Sequence, residues 1–305
     1  MKVLIIGLGS IANKHIDALY KIDSKVKIYA LRRGKSSRNI DRINNIYNYE
    51  DIYNINPDFC IISNPTDAHY STIKTIFEFK IPLFIEKPLF SNIGLDEKSL
   101  VLDIKKSDVP NYVACNLRFY NCLIYSEEFI KKKRINEVNV YCGSYLPDWR
   151  PDQDFRKVYS ANIEMGGGVH IDLIHELDYV VWHYGYPVKT HRQTSNKSSL
   201  GITAVDYANF LLEYNEFNVN IVLNYYRRDA KRFMEVVCED GTLMVNLLDN
   251  KVLWNDEVVY ESSKSMQDTY FEQINFYVNN ILTQKAFSND VKEAYEILKI
   301  CIAND

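Results

Sequence analysis

The chain has 305 residues, with 36 Lys and Arg against 40 Asp and Glu and a formal net charge of −4. That balance argues against nucleic acid or an acidic membrane surface as partner, and no apolar run approaches the ~18 residues of a membrane-spanning helix. The length suits two domains with a sizeable core. Its six scattered cysteines (Cys60, Cys115, Cys122, Cys142, Cys238, Cys301) form no C-x-x-C pair and no metal-ligand spacing, so they read as core residues of a reduced protein.

Val3 to Ile6 is a short, β-branched apolar run that predicts a strand buried on both faces. Gly7-Leu8-Gly9-Ser10-Ile11-Ala12 follows as G-x-G-x-x-A and opens a helix through Tyr20. In such a turn Gly7 permits the tight bend, Gly9 lets backbone approach a pyrophosphate, and Ala12 lets helix pack on strand. The helix N-terminus then offers N–H groups and a positive dipole end to phosphate, so Gly7, Gly9, Ser10, Ile11 and Ala12 are expected to bind a dinucleotide. The apolar run is too short for a signal peptide and lacks a cleavage pattern, and the expected location is the cytoplasm.

Lys25 to Leu31 predicts the second strand. Where an NAD-binding chain carries a carboxylate for the ribose, this one carries Arg32, Arg33 and Ser36, which suit a 2′-phosphate and favour NADP over NAD. Phe59 to Ile62 is another buried strand, and a helix is expected from Asp67 to Phe79, begun near a Thr66 cap. Ligands of open α/β sheets lie beyond the carboxyl ends of the strands, which puts Asn64, Thr66 and His69 toward the nicotinamide half of the cofactor. The strand Pro82–Ile85 runs into Glu86-Lys87-Pro88, with Glu86 and Lys87 at the same edge. A helix from Gly94 to Lys106 and a strand from Asn111 to Asn116 end the first domain, 1–118, which is expected to be six-stranded although only five strand runs are placed.

After a connecting helix at Tyr120–Lys133 the pattern changes. Strand-like runs at Glu137–Tyr145, Tyr207–Tyr214, Phe217–Tyr226, Phe233–Cys238 and Thr242–Asn246, with a hairpin signal at Asp240-Gly241, predict a mostly antiparallel sheet. Two helices, Gln267–Leu282 and Asp290–Ile302, close a second domain of α+β type, 119–305. Within it, three glycines, Gly166–Gly168, precede His170, Asp172 and His175. Asp172 and His175 are three apart and would share a helical face, where a carboxylate can orient an imidazole for acid/base work or simply stabilise the helix. A metal site is not expected, because His170 and Asp172 fall on different faces of such a helix. Trp149, Arg150, Arg156 and Tyr159 lie just before the glycines. A tryptophan face suits the C–H side of a sugar ring, and arginine suits carboxylate or phosphate, although these arginines could instead pair with Asp148, Asp152 or Asp154.

G-L-G-S-I-A, S-N-P-T-x-x-H, E-K-P, N-L-R-F and G-G-G-V-x-x-D-L-x-H-E-L-D-Y occur here in one order across the whole chain. In this the sequence resembles the glucose–fructose oxidoreductase/inositol dehydrogenase/rhizopine catabolism (Gfo/Idh/MocA) family, and Tyr145–Pro151 with Tyr159–Ala161 resembles a subgroup of bacterial surface-polysaccharide metabolism. The resemblance implies a Rossmann domain, then an α/β domain whose open sheet makes a homodimer or homotetramer. It implies NAD(P)-dependent oxidation of a sugar or cyclitol hydroxyl, or its reversal, with Lys87, Asp172 and His175 as catalytic residues. Many members set four steps between the aspartate and the histidine; here there are three, with Ile174 between them and His170 as an alternative proton-transfer residue. Arg118 of N-L-R-F, with His170, Trp149, Arg150, Arg156 and Tyr159, is expected at an anionic sugar substrate: a nucleotide sugar, sugar phosphate or sugar acid. Two other readings are a cofactor-retaining glycosidase or eliminase of the same family and a non-catalytic cofactor-binding regulator. Retention of Lys87, Asp172 and His175 together argues against the regulator.

Overall fold

The computed structural model describes residues 1–32, 34, 40–283, 285 and 287–303. Its first strands and helices run β1 (Lys2–Ile6), α1 (Ser10–Ile22), β2 (Lys27–Leu31), β3 (Ile43–Ile46), α2 (Asp51–Ile55), β4 (Phe59–Ile62), α3 (His69–Phe77), β5 (Leu83–Glu86), α4 (Leu95–Lys106) and β6 (Asn111–Ala114). All six strands pair in parallel in the order β3-β2-β1-β4-β5-β6. The apolar runs of β1, β4 and β5 are buried almost throughout, as a sheet covered by helices on both faces requires. β3, whose Asn44-Asn45 centre carries no apolar signal, is an edge strand missed by pattern reading; the Asn44 side chain donates to the Ile28 carbonyl at 3.1 Å.

The chain continues through α5 (Asn121–Ile130), β7 (Ile135–Tyr145), α6 (Val169–Asp172) and α7 (His175–Tyr184). It then runs through β8 (Lys189–Ser195), β9 (Tyr207–Glu213), β10 (Asn218–Asn224), β11 (Tyr226–Cys238), β12 (Gly241–Asn246), β13 (Lys251–Trp254) and β14 (Glu257–Glu261). These form an eight-stranded sheet in the order β14-β13-β12-β11-β7-β10-β9-β8. Every described pair in it is antiparallel except β7 with β10. The β11–β12 pairing of Cys238 with Gly241 makes Glu239-Asp240 the two-residue turn, one step before the expected Asp240-Gly241. All six cysteines are buried, and none is in a disulfide among the described residues.

The last two helices, α8 (Asp268–Thr283) and α9 (Val291–Ile302), shift the division of the chain. One compact unit is Met1–Asn116 with Gln267–Lys299, and the other is Leu117–Met266 with Ile300–Asp305, rather than 1–118 and 119–305. The cause is aromatic packing. Tyr277 of α8 meets Phe59 of β4 at 5.1 Å and Phe84 of β5 at 5.2 Å, ring to ring, in edge-on geometry. Asn116 donates to Thr269 at 2.7 Å, and the Gln273 side-chain oxygen accepts from the Tyr112 hydroxyl at 3.0 Å and the Cys115 N–H at 2.8 Å.

The sheet order reverses between β1 and β4, and there Gly7 has φ +97°. A Cβ on Gly7 would collide with the backbone of Ser63 and Asn64, so both conformation and space demand glycine. Gly7→Ala is therefore expected to cost about 3 kcal/mol or more, or to yield insoluble chain. Urea unfolding checks this, and a variant as stable as the parent would refute the close approach.

Candidate functional site

At the carboxyl edge of the parallel sheet the backbone is stitched across the switch point. The Ser63 hydroxyl donates to the Gly7 carbonyl at 2.8 Å, and the Ser63 N–H pairs with the Ile6 carbonyl at 2.8 Å. Gly9 caps α1 in extended geometry and brings no side chain to the helix end, and a Cβ there would meet nothing within 4 Å among the described residues. Ser10 is exposed, Ile11 half-buried and Ala12 fully buried against the sheet. An uncapped helix N-terminus beside open space suits a pyrophosphate. The neighbouring Asn64 adds a buried side-chain Oδ1 with no hydrogen-bond partner among the described residues. The residues present therefore fit a dinucleotide.

Arg32 follows β2, half-buried, with its guanidinium 3.4 Å from Asn45 Oδ1. Arg33 and Ser36 lie outside the described residues. Thr66 opens a single 3-10 turn whose N-cap is Pro65, and Ala68 is the N-cap of α3, so Thr66 does not stand at the cap position expected of it. His69, expected at the cofactor, is 1% exposed. Its Nδ1 faces the Pro88 and Leu89 carbonyls at 3.0 and 3.1 Å, and its Nε2 faces the Asn64 carbonyl at 3.0 Å. His69 thus ties S-N-P-T to E-K-P from within the chain, and its burial lowers its pKa. Glu86 is likewise buried, with Oε1 2.6 Å from His15 Nε2 on α1. Lys87 is half-buried at the end of β5, its N–H directed to Glu86 Oε2 at 3.3 Å and its peptide bond to Pro88 cis.

In the second unit the three glycines are sterically dictated. A Cβ on Gly167 would strike the Tyr159 carbonyl, and Gly168 has φ +148° with the His170 ring 2.8 Å from its would-be Cβ. The Tyr159 hydroxyl donates to the Gly166 carbonyl at 2.9 Å, so Tyr159 holds this turn. Asp172 and His175 do not share one continuous helix. α6 ends at Asp172, Leu173-Ile174 forms a turn, and α7 begins at His175. Asp172 Oδ2 accepts from the Tyr225 hydroxyl at 2.5 Å. Tyr225 is fully buried, 53 residues from Asp172, and no spacing rule could have found it. The Trp149 ring stands edge-on to Tyr225 at 5.3 Å, and its indole N–H donates to Ser144 at 2.8 Å.

Arg150 and Arg156 are exposed, and neither forms an ion pair among the described residues; Asp154 serves Lys157 and the Arg156 N–H instead. Arg118 differs from its expected place at a substrate. Its buried guanidinium makes a bidentate pair with Asp178 of α7 at 2.9 and 2.7 Å, a contact that anchors the helix. Glu176, between them in H-E-L-D, pairs with Arg232 at 2.6 Å. His170 is largely enclosed, and burial, with the Arg192 charge, lowers its pKa to about 4. No cluster of three or more His, Cys, Asp or Glu among the described residues could hold a metal ion.

Two family models match: one described as an oxidoreductase family with NAD-binding Rossmann fold, over residues 1–109, and the GFO/IDH/MocA C-terminal domain, over residues 125–244. A myo-inositol 2-dehydrogenase of Thermotoga maritima is 23% identical over 92% of this chain and 88% of its own. In fold, the chain is similar to a myo-inositol 2-dehydrogenase from Lactobacillus plantarum (TM-score 0.80, 20% identity, 99% of this chain and 95% of that one). It is also similar to a UDP-N-acetylglucosamine 3-dehydrogenase from Acidithiobacillus ferrooxidans (TM-score 0.78, 16% identity, 99% and 95%).

His183 of α7 is enclosed too, and burial lowers its pKa to about 3. In the unfolded chain both His170 and His183 titrate near ~6.5, so on acidification the unfolded state takes up protons that the folded state excludes. Stability is therefore expected to fall as pH drops from ~6.5 toward ~4, by roughly 2–3 kcal/mol for each histidine, and to be flat in this respect above ~6.5. His183→Phe, which keeps a ring among Trp182 and Tyr184, should lose less between those limits. Urea midpoints at each pH check this, and an identical decline in the variant would remove His183 from the account.

Proposed function

The chain belongs to the Gfo/Idh/MocA oxidoreductase family, and from that membership we propose that it is an NAD(P)-dependent dehydrogenase or reductase acting on a CH–OH group of a sugar or sugar derivative. The observation that carries this reading is the open, uncapped start of α1 at the switch point, with Lys87 leaving a strand of the same sheet edge. The dinucleotide, when bound, supplies hydride acceptance or donation. Gly7, Gly9, Ser10, Ile11 and Ala12 hold its pyrophosphate, and Asn64 and Thr66 serve its nicotinamide half. Lys87 hydrogen-bonds the reacting oxygen and stabilises charge developing there. His175 exchanges the hydroxyl proton, and Asp172, itself held by Tyr225, orients it.

The cofactor preference follows from Arg32, with Arg33 and Ser36 next to it in sequence, where a carboxylate would select NAD. We assign NADP, and tighter binding of NAD than of NADP would contradict the assignment. For the substrate, the exposed guanidinium groups of Arg150 and Arg156, neither in an ion pair among the described residues, together with the exposed Trp149 ring support an anionic sugar. A nucleotide sugar is one such class, and one fold neighbour is named for acting on a UDP-sugar. A role in bacterial surface-glycan metabolism accords with this substrate class.

Lys87→Met is expected to leave dinucleotide binding largely intact and to lower turnover by ~10²–10⁴-fold; near-normal turnover would give the lysine a structural role. Arg150→Ala and Arg156→Ala should raise KM for an anionic sugar by ~10-fold or more and leave KM for its neutral analogue unchanged. Equal effects on both, or a neutral polyol as best substrate, would overturn the substrate class.

A further inference from the structure

β10 and β11 lie on opposite sides of β7, and Tyr225 alone separates them in the chain. β10 runs parallel to β7 as far as the Asn224–Gly143 pairing, and β11 returns from the Tyr226–Tyr145 pairing, so Tyr225 crosses the carboxyl-terminal end of β7. Both of its backbone groups are bonded there. Its N–H donates to the Asp206 carbonyl at 3.0 Å, and its carbonyl accepts the Leu146 N–H at 2.8 Å. The ring is fully enclosed, and its hydroxyl donates to Asp172 Oδ2 at 2.5 Å. Enclosure, with the nearby Asp172 charge, raises the Tyr225 pKa, so this hydroxyl keeps its proton and stays a donor. Asp172 ends a four-residue helix, which by itself does little to fix a side chain. Trp149 flanks the same tyrosine ring. It stands edge-on to Tyr225 at 5.3 Å, its indole N–H donates to Ser144 Oγ of β7 at 2.8 Å, and it remains 41% exposed. Two contacts thus fix an exposed aromatic face, which lowers the ordering cost of seating a ring upon it.

We propose that Tyr225 is a positioning residue that holds the Asp172 carboxylate and the Trp149 ring in one fixed relation, so that a sugar seated on Trp149 meets the acid/base pair in register. The proposal rests on the assignments of Asp172 and Trp149 to the reaction and deepens them. Being enclosed, Tyr225 acts through these two neighbours rather than on the sugar. Its hydroxyl and its ring have separate parts: the hydroxyl fixes Asp172, and the ring backs Trp149. The backbone ties to Asp206 and Leu146 leave the ring little freedom to follow one neighbour without the other. In a close-packed interior a shift at the hydroxyl is passed on to the indole.

The test reads Trp149 directly. Fluorotryptophan is incorporated at all three tryptophans, and the Trp149 fluorine resonance is identified by its loss in Trp149→Phe. Asp172→Ala, which removes the acceptor, should move that resonance by several linewidths. Asp172→Asn, which keeps a carbonyl oxygen for the hydroxyl, should move it less. In a Tyr225→Phe background, Asp172→Ala should leave it nearly unmoved. The Trp254 resonance of β13 reports whether each variant is folded, and Asp172→Ser carries the same expectation if Asp172→Ala is not. The kinetic arm follows oxidation of UDP-N-acetylglucosamine with NADP. Tyr225→Phe should lower kcat by ~10–10²-fold and change KM by less than ~3-fold, and should cost less than ~3-fold further once Asp172→Asn is present. A Trp149 resonance that loss of the Asp172 acceptor leaves in place, or moves as far without the Tyr225 hydroxyl as with it, overturns the proposal. So does an equal loss of kcat from Tyr225→Phe in the two backgrounds. No turnover of this sugar by the parent counts against the anionic-sugar reading alone, and the fluorine spectrum then decides the coupling by itself.

Discussion

The contact on which the first unit depends is the close approach of Gly7 to the backbone of Ser63 and Asn64. It brings β1 and β4 together where the sheet order reverses and leaves the first turn of α1 open beyond the strands. Everything attributed to this edge inherits its position from that approach. Ser63 ties itself to Gly7, Asn64 offers its carbonyl to His69, and His69 in turn grips the turn after Lys87. The same helix that begins at the glycine turn carries His15 down to Glu86. The glycine turn and the end of β5 are thus parts of one packed network, and the polar groups within it are mostly spent on each other.

Much of this unit was legible in the sequence. A β-branched run before G-L-G-S-I-A and the apolar runs of Phe59–Ile62 and Leu83–Ile85 carry the period and length of buried parallel strands. What pattern reading could not supply was partnership. His69 and Glu86 stand where a cofactor could use them, yet both are bonded internally. His15 gives no signal of its own, being a single polar residue on an apolar helix face. β3 escaped because an edge strand with two asparagines has no apolar period. The domain boundary was misplaced because α8 is linked to β4 and β5 by Tyr277, a contact between residues far apart in sequence.

In the second unit the sequence located the antiparallel sheet but misjudged the helix beneath the glycines. Spacing suggested one helical face for Asp172 and His175; a turn at Leu173-Ile174 separates α6 from α7, and Asp172 accepts a hydrogen bond from Tyr225. The acidic residues of H-E-L-D are used in anchoring, Glu176 to Arg232 and Asp178 to Arg118. Burial makes such pairs costly to break singly, so a short motif dense in charge holds α7 in place and leaves few of its charges free for substrate. The exposed arginines before the glycine turn, by contrast, have no such commitments.

The central claim is that this chain moves hydride between a sugar carbon and a nicotinamide. The most direct measurement uses sugars, sugar phosphates and nucleotide sugars deuterated at their ring CH–OH carbons, incubated with NAD or NADP, and mass analysis of the recovered dinucleotide. The account predicts deuterium in the reduced dinucleotide, in amounts matching the ketone formed and greater with NADP. Loss of deuterium to water with no net reduction of dinucleotide, or conversion of none of these sugars, would contradict it.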